Sequence, residues 1–408
     1  MFYTYKIGIS AEEHDSFVKQ SPQANLLQSS QWATVKSEWR NERLGFFKDG
    51  KLVAVASLLI RRLIVPFGFT MIYIPRGPVM DYEDAELVSF VFKSIKEFAL
   101  RERSVVIKFD PFIRLSSKTI TGDREEELNV LAVKDRIVDL GGIWSGRVQT
   151  MSATIQPTCH AVLYSESFSE ESLNKRVRQN IRSARNKGIE IRIGREELLR
   201  DFSELLKKTE ERKSIRLRGK EYYQKILAAF PEDSYITLAT VHLAERQDHF
   251  LKEKQKLLKE SARFTEVTQQ SKKYKNQKEL ERVNVELDFL DRELKKGREV
   301  IPLAGTLTVD FGGTSENIYA GMDDAYKHYQ PALLVWFENA KYAFDRGATW
   351  QNLGGVEPTM DGGLYQFKSK LNPVIEEYIG EFDLIVSPIL YKIFQVLLEI
   401  RKKLRKKK

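Results

Sequence analysis

The stretch that decides the fold runs from SYITLATVHLAER, residues 234–246, to VIPLAGTLTVDF, residues 300–311. Both ends have strand patterns, whereas residues 247–298 between them contain neither proline nor a strand pattern. The second half of this segment carries apolar residues at alternating steps of three and four, the spacing of a coiled-coil seam: Leu280, Val283, Leu287, Leu290 and Leu294. The first half repeats apolar residues every seven positions: Phe250, Leu257 and Phe264.

The two halves are separated by TQQSKKYKNQKE, residues 268–279, which has no apolar stripe. This break favours two helices folded back on each other. We therefore expect residues 244–298 to form an antiparallel coiled-coil hairpin that leaves the middle of a sheet. Such an insertion is rare, so it narrows the choice of families.

The composition is that of a basic globular protein of 408 residues, with 42% hydrophobic and 30% charged residues and a mean hydropathy of −0.39. Single cores stop growing near ~250–300 residues, so two or three domains are expected. The net charge of +9 suits an anionic partner, which can be nucleic acid, a phosphorylated small molecule or a membrane surface. Solvated surface lysines are the alternative explanation of this surplus.

Cysteine and histidine usage excludes several kinds of site. Cys159 is the only cysteine, so neither an internal disulfide nor a cysteine-based metal site can form. The five histidines show no clustered ligand spacing, and no metal is expected. Cys159 and His160 are neighbours in a strand pattern and point to opposite faces, which argues against a thiol nucleophile activated by histidine.

The sequence predicts a cytoplasmic protein. Its first residues, MFYTYKIGIS, are polar and lack the apolar core of a secretory signal. Its apolar runs fall well short of the ~20 residues that a membrane-spanning helix needs.

Strand and helix patterns occur twice in the same order along the chain. In the first part they are SLLIRR, YIPRG, a helix and VVIKFDP, and in the second part TLTVDF, IYAG, a helix and TWQNLGG. This order predicts two α/β units of one kind. The predicted boundaries are 1–150 for the first unit, 151–243 with 299–385 for the second, 244–298 for the hairpin and 386–408 for a basic amphipathic C-terminal helix.

The two units resemble acyltransferases of the GCN5-related type, whose mixed sheets splay around a helix. Members that use acetyl-CoA present an R/Q-x-x-G-x-G/A loop for its pyrophosphate, and this sequence has no such loop. The resemblance implies an α/β (α+β) fold of two GCN5-related acyltransferase-like (GNAT-like) units, with the coiled-coil hairpin inserted in the second.

A closer resemblance rests on the hairpin together with LQSSQWATVKSEW, YIPRGPVMDY, FDP, SARNKGIEI, RLRGKEYY, NIYAGMDD, WQNLGGVE, YQFKSKLNP and EEYIGEF. In this order they make the chain similar to the FemABX peptidoglycan bridge aminoacyltransferases, and within these to the MurM type. The resemblance implies transfer of Ser or Ala from an aminoacyl-tRNA to the stem-peptide lysine ε-amine of lipid II. No dissociable cofactor is implied, because the donor ester is already activated.

The resemblance assigns the pyrophosphate of lipid II to Lys36 and Arg218, with Trp39 and Tyr222 beside them. A pyrophosphate needs fixed cations, and arginine adds bidentate contacts. Tyr222 lies four residues after Arg218, so a helix would bring both to one side. From the residues alone, an exposed helix lysine is the favoured interpretation of Lys36, and the resemblance reverses this preference. Two further residues match positions that line a peptide channel in relatives: Tyr319 and Glu381.

For the reaction itself, the resemblance assigns oxyanion stabilisation to Lys368, where one charged donor contributes on the order of 3 kcal/mol. Asp110 ends the strand pattern VVIKFDP and can orient or deprotonate the attacking amine, although it can equally cap the following turn. Arg76 is either a site arginine or the partner of Asp81.

Residues 174–195 predict a strongly basic helix followed by a strand, and this helix and the hairpin are candidate contacts of the tRNA. Phosphate contacts supply most of the sequence-independent affinity for nucleic acid. The candidate residues are Arg176, Arg178, Arg182, Arg185 and Lys187. The same spacing also exposes charge for solubility alone, and the alternating charges of the hairpin equally fit a steric arm.

The chain ends in RKKLRKKK, residues 401–408. Basic residues favour the end of a helix, and they also attract an anionic inner leaflet. Because lipid II lies in that leaflet, we expect peripheral association with the inner face of the cell membrane.

Two other functions remain open. An acetyl-CoA-dependent N-acetyltransferase would have the same fold and another acyl donor. A non-catalytic protein that binds tRNA or membranes would use the hairpin as its interaction device.

Overall fold

The structure, a computed structural model, describes residues 2–63 and 68–396. The strands in these ranges are Tyr3–Ile7 (β1), Arg40–Lys48 (β2), Lys51–Arg62 (β3), Thr70–Ile74 (β4), Val79–Met80 (β5), Ser104–Phe109 (β6), Arg114–Thr119 (β7), Arg124–Glu126 (β8), Gly142–Trp144 (β9), Cys159–Tyr164 (β10), Ile189–Gly194 (β11), Ser234–His242 (β12), Val300–Phe311 (β13), Thr314–Met322 (β14), Trp350–Gly355 (β15), Val374–Tyr378 (β16) and Phe382–Ile385 (β17).

Helices alternate with these strands. Their bounds are Ala11–Gln20 (α1), Ser30–Val35 (α2), Ala85–Arg101 (α3), Leu128–Asp139 (α4), Lys175–Asn186 (α5), Leu199–Lys213 (α6), Lys220–Ala229 (α7), Leu243–Ser261 (α8), Gln270–Lys295 (α9), Pro331–Asp345 (α10), Gly363–Lys368 (α11) and residues 388–396 (α12).

The strands form two mixed sheets. The first sheet has the order β1-β2-β3-β4-β6-β17-β9, with β5 paired to β3. The second has the order β11-β12-β13-β14-β15-β10-β16-β7-β8. Among the described strands, the parallel neighbours are β4 with β6 and β14 with β15.

These two parallel pairs confirm the predicted repeat of topology. In the first sheet β3 pairs with β4, and α3 then crosses to β6. In the second sheet β13 pairs with β14, and α10 crosses to β15. Parallel strands need such a crossover, and a helix supplies it in both cases. The fold is therefore α/β with two GNAT-like units.

The two sheets also exchange segments. β7 and β8 follow β6 in the chain, yet they extend the second sheet next to β16. Conversely, β17 comes from the end of the described chain and lies between β6 and β9 in the first sheet. Each sheet thus contains strands from both predicted units, and this exchange links the two units. The predicted boundaries between the units stay a prediction.

Apolar clusters fill each unit and the space between them. In the first, α3 packs Val91 and Ile95 over the sheet. The cluster between the units joins Val55 of β3, Phe202 of α6 and Leu307 of β13. Burial of each such side chain contributes roughly 1.5–3 kcal/mol. This middle cluster therefore fixes how the two units present residues to the site between them.

The predicted hairpin is present as α8 and α9. Phe250, Val283 and Leu287 are buried in the same apolar cluster as residues of the second sheet. The heptad pattern thus packs at the base of the hairpin, which anchors the arm to the second unit.

The segment without an apolar stripe belongs to a helix. The two helices are connected by residues 262–269, and α9 begins at Gln270 inside TQQSKKYKNQKE. Lysine, glutamine and glutamate are strong helix formers, so α9 extends without apolar contacts there. The Asn276 side chain adds a hydrogen bond to the Leu257 carbonyl at 3.2 Å.

Candidate active site and basic groove

Lys36 lies directly after α2, a helix that begins with Ser29 as its N-cap. The Lys36 amide donates to the Trp32 carbonyl at 3.1 Å and closes the last turn. Its ammonium lies 4.6 Å from the centre of the Trp32 ring and donates to the Tyr222 hydroxyl at 2.6 Å. The short capped helix therefore holds a lysine amine between two aromatic side chains.

Arg218 reaches the same tyrosine from the second half of the chain. Its guanidinium carbon lies 5.0 Å from the centre of the Tyr222 ring. Arg218 and Tyr222 do not share a helix, because α7 begins at Lys220 with Gly219 as its N-cap. Arg218 lies just before that cap, and the two side chains still meet.

The Lys36–Arg218 pair is a site of surplus positive charge, which the nearby Glu38 offsets only in part. Within the described residues, neither side chain forms an ion pair with a carboxylate; their contacts are with aromatic groups. Burial first, and then the charge of Arg218, lower the pKa of Lys36 to about 8. A bound dianion would offset both effects, so the pair suits a phosphate or pyrophosphate.

Tyr319 and Trp39 border this cation pair in different ways. The Tyr319 ring lies edge-on to Tyr222, with ring centres 6.2 Å apart. The Trp39 amide donates to the Lys36 carbonyl at 2.8 Å, but its ring lies under Arg61, 5.4 Å away. Trp39 is therefore next to Lys36 through the backbone, while its ring stacks with another cation.

Lys368 ends α11 and is only 5% exposed. Its ammonium donates to the Gly355 carbonyl at 2.7 Å and lies 5.6 Å from the centre of the Trp336 ring. Burial lowers the pKa of Lys368 to about 7, and the charge of Glu357 opposes this shift. The side chain is a single buried amine without a salt bridge to any described carboxylate.

Gly354 keeps the space beside this amine open. It lies at the end of β15 with φ of +88°, a conformation that favours glycine. A Cβ at this position would lie 3.3 Å from the Lys368 ammonium. The same position is 3.7 Å from the carbonyl of Asn317 in β14, the strand that also carries Tyr319. β14 thus connects the surroundings of Lys368 to the aromatic cluster around Lys36.

Asp110 follows β6 and is 3% exposed. Its Oδ1 accepts from the Arg76 amide at 3.2 Å, and its Oδ2 lies 3.4 Å from the Arg76 guanidinium. Oδ2 has no hydrogen-bond partner within the described residues. Burial raises the pKa of Asp110 to about 6, against the charge of Arg76. Arg76 therefore pairs with Asp110 and not with Asp81.

Arg76 also spans the junction of the two sheets. Its guanidinium donates to the Pro157 carbonyl at 3.2 Å and lies 2.9 Å from His160 Nε2. Burial and the Arg76 charge lower the pKa of His160 to about 3, so this imidazole is neutral. Burial raises the pKa of the adjacent Cys159 thiol to about 11. Neither group has the charge state of a thiolate–imidazolium pair at neutral pH.

Glu381 is placed apart from Tyr319. Its carboxylate pairs with Lys108 at 2.8 Å and accepts from the Ile155 amide at 2.9 Å. The described contacts of Tyr319 are instead with Tyr222, Tyr223 and Arg218. The structure does not join the two predicted channel residues by direct contact.

A basic groove of about 800 Å³ lies between α5 and the base of the hairpin. Its cationic lining consists of Lys175, Arg178, Arg182, Lys187, Arg246 and Arg282. One lining carboxylate, Glu253, pairs with Arg282 at 2.9 Å. The groove keeps a large positive surplus and suits a polyanion such as a nucleic-acid backbone.

Three of the five predicted tRNA residues line this groove. Of the others, Arg185 forms ion pairs with Glu170 and Glu338 at 2.9 and 2.8 Å. Arg176 is exposed and is not part of the lining. The structure thus divides one basic helix into groove-facing, paired and solvent-exposed arginines.

The sequence analysis named the hairpin as a candidate tRNA contact but did not identify its groove-lining residues, Arg246 and Arg282. Arg246 is 7% exposed, and its guanidinium lies 4.2 Å from the centre of the Phe250 ring. Its Nε has no hydrogen-bond partner within the described residues. Arg246 lies four residues before Phe250, one of the heptad positions, and residues at this spacing lie on the same side of a helix. The sequence therefore contained a signal for this residue.

The two GNAT-like units, with a cation pair that has no salt bridge within the described residues and a separate buried lysine, define an acyltransferase. A family model described as the FemAB family matches residues 9–399. The chain therefore belongs to the FemAB family and is an aminoacyltransferase.

Similar proteins align with nearly the whole chain. A lipid II:glycine glycyltransferase of Staphylococcus aureus is 30% identical over 96% of this chain and 95% of its own length. The same enzyme of strain MRSA252 is 29% identical, with the same coverage. The crystal structure of FemX matches with a TM-score of 0.76 and 27% identity, covering 96% of this chain and 99% of that one.

A more distant match concerns the fold alone. A tandem GNAT protein from the clavulanic acid biosynthesis pathway has a TM-score of 0.50 and 8% identity, covering 94% of this chain and 99% of that one. It agrees with the assignment of two GNAT-like units.

The described helices include none that is both long and apolar enough to cross a bilayer. The predicted basic block, residues 401–408, lies outside the described residues, which end within α12.

Proposed function

We propose that this enzyme transfers Ser or Ala from aminoacyl-tRNA to the stem-peptide lysine ε-amine of lipid II, in the synthesis of peptidoglycan bridges. The observation that carries the proposal is the Lys36–Arg218 pair, a half-buried and an exposed cation with no salt bridge to a carboxylate within the described residues. Lipid II is a pyrophosphate-linked acceptor, and similar enzymes are named for action on it. In this proposal Tyr222 and Trp39 border the bound acceptor.

The proposed chemistry is direct aminolysis of the tRNA ester. The acceptor amine attacks the ester carbonyl, an amide C–N bond forms, and the C–O bond to the tRNA ribose breaks. The ribose oxygen leaves and takes up a proton, while the attacking amine loses one. Since the ester is already activated, the reaction takes no further cofactor.

Lys368 and Asp110 fit the two demands of this reaction. A buried amine beside Gly354 can donate to the oxyanion of the tetrahedral intermediate in a low-dielectric site. Asp110 with a pKa of about 6 is ionised at neutral pH, and its Oδ2, which is ion-paired with Arg76 but has no hydrogen bond within the described residues, can accept the proton or orient the amine. Arg76 holds this carboxylate in place from the junction of the sheets.

The basic groove is the proposed contact of the tRNA backbone. Arg178, Arg182 and Lys187 supply charge from one side, and Arg246 and Arg282 supply it from the hairpin. This arrangement gives the hairpin a role in binding and not only as a steric arm. The enzyme would act at the inner face of the cell membrane, where a lipid-linked acceptor is found.

The test is transfer of isotopically labelled amino acids to lipid II, read by mass spectrometry. Seryl-, alanyl- and glycyl-tRNA and labelled acetyl-CoA are supplied separately. We expect the lysine of lipid II to gain Ser or Ala from the tRNA and nothing from acetyl-CoA. Transfer of glycine alone would overturn the proposed amino acid, and acetylation would overturn the donor.

A further inference from the structure

α12, residues 388–396, has two faces of different character. Leu390, Tyr391 and Phe394 pack against Val105 and Val106 of β6 and hold the helix on the first sheet. This inner face accounts for the position of the helix.

The outer face of α12 is apolar and exposed. Ile389, Ile393 and Val396 are 76%, 52% and 57% exposed, and none belongs to an apolar cluster of the described residues. Their steps of four and three residues place them on one side of a helix. Exposed apolar side chains along one side of a helix that already packs on its own sheet indicate an interaction surface.

A cavity of about 570 Å³ on the same unit is lined by arginines: Arg40, Arg62, Arg101 and Arg103. Arg40 pairs with Glu102, and Arg101 pairs with Glu97. For Arg62 and Arg103, no carboxylate of residues 2–63 or 68–396 lies within salt-bridge distance. These two cations are therefore available to an anion.

This arginine cavity lies between α12 and the Lys36 site. On one side, the Arg103 guanidinium lies 5.2 Å from the centre of the Phe69 ring, and Phe69 packs in the same cluster as Phe394 of α12. On the other side, Glu38 lines the cavity two residues after Lys36. α12, the arginine cavity and Lys36 thus follow one another across the first unit.

We propose that α12 and the arginine cavity form one docking surface for a bilayer that contains anionic phospholipids. The apolar stripe would enter the acyl boundary, and Arg62 and Arg103 would contact lipid phosphates. This combination of an apolar helix face and unpaired cations is complementary to an anionic lipid surface.

The order of α12, the arginine cavity and Lys36 indicates how the surface would contribute to catalysis. This step rests on the proposed function. The pyrophosphate of a lipid-linked acceptor lies at the depth of the phospholipid headgroups. A bilayer docked on α12 would present that pyrophosphate towards Lys36 while the polyprenyl chain stays in the membrane. The surface would therefore select acceptors in the bilayer.

The test uses the full chain and co-sedimentation with phosphatidylglycerol–phosphatidylcholine vesicles and with phosphatidylcholine vesicles. The variant Ile389→Asp/Ile393→Asp places two charges on exposed positions, and Leu128→Asp, at a position 79% exposed, is the matched control. We expect the double variant to lose about tenfold or more of its binding to anionic vesicles, and the control to lose none. Arg62→Gln/Arg103→Gln, off the helix, is expected to weaken the same binding, and equal melting temperatures verify folding.

Unchanged vesicle binding by the double variant would overturn the proposal. Equal binding of wild type to both vesicle types would overturn the role of the arginines. A dimer of the wild type that the double variant loses would show that a second copy covers the stripe, which also overturns it.

A second readout separates this proposal from the proposed function. With lipid II in vesicles, the double variant is expected to lose transfer, whereas with a soluble sugar–peptide acceptor without polyprenyl chain it keeps the wild-type rate. If the wild type uses neither acceptor but binds anionic vesicles through α12, the proposed function fails and the docking surface stands. If both proteins use vesicle-bound lipid II equally well, the docking surface fails and the proposed function stands.

Discussion

Lys36 and Lys368 both have lowered pKa values, but Lys36 is half-buried, Lys368 is buried, and their surroundings differ. Lys36 lies beside a second cation, Arg218, and two aromatic rings. Lys368 is alone, and its amine contacts a backbone carbonyl next to a glycine. A pair of cations suits the two charges of a bound pyrophosphate, whereas a single buried donor suits one oxygen that becomes charged during reaction. We propose that the same residue type serves binding in one region and chemistry in the other.

The largest expected effect is that of a substitution at Lys368, the residue proposed to take part in the chemistry. Lys368→Met keeps the length of the side chain but removes the donor, and kcat should fall by about 100- to 1000-fold. KM for the acceptor should change little, because the contact forms mainly in the transition state. Steady-state transfer of label measures both constants, with Lys370→Met as the control. A rise in KM at constant kcat would instead place Lys368 in the binding region.

The binding region should respond in the opposite way. Lys36→Met removes one charge-assisted contact of roughly 1.5–3 kcal/mol, so KM for lipid II should rise by about 10- to 100-fold. The kcat value should stay near that of the wild type. Lys51→Met, at an exposed position, is the control. If Lys36→Met lowered kcat with unchanged KM, the division between the two regions would be wrong.

The buried amine of Lys368 also predicts a pH dependence of stability. Its pKa falls from 10.5 to about 7 on folding, so the unfolded chain binds more protons between these values. The free energy of unfolding should therefore rise with pH above 7. Relative to Lys368→Met, the wild type should gain about 2 kcal/mol between pH 7 and pH 9 in urea titrations. A constant difference across this range would mean that Lys368 keeps its ordinary pKa in the folded protein.

The smallest effect is expected in the basic groove, which neither lysine belongs to. Arg182→Ala removes one groove-lining cation and should lower the salt slope of tRNA binding by about 1 in a log–log plot. Arg176→Ala, on the same helix but outside the lining, should leave the slope unchanged. Fluorescence anisotropy with labelled tRNA at several salt concentrations distinguishes the two. Equal slopes for both variants would move the tRNA contact away from this groove.

Local patterns were enough to predict much of the fold. The repeated order of strands and helices predicted two α/β units of one kind, and each unit has one parallel pair joined by a crossover helix. The heptad positions predicted the hairpin, and Phe250 and Leu287 are buried at its base. The exchange of β7 and β17 between the sheets was not predicted, since strand pairing over long sequence distances leaves no local periodicity.

The site shows the same division between local and long-range information. Resemblance to a family indicated Lys36, Arg218 and Tyr222, and the structure brings them together. The ion pair of Arg76 with Asp110 and the contribution of Arg246 to the groove depend on contacts between distant segments. The alternative partner Asp81 was only closer in sequence, which is a weak guide to pairing in a sheet protein.

The most direct test of the difference between the two lysines is single-turnover transfer from charged tRNA at saturating lipid II. Under these conditions weak binding no longer limits the rate, and only chemistry is measured. We predict that Lys36→Met transfers at close to the wild-type rate, whereas Lys368→Met is slower by about 100-fold or more. Equal rates for the two variants, or a slower Lys36→Met enzyme, would contradict the assignment of binding to one lysine and catalysis to the other.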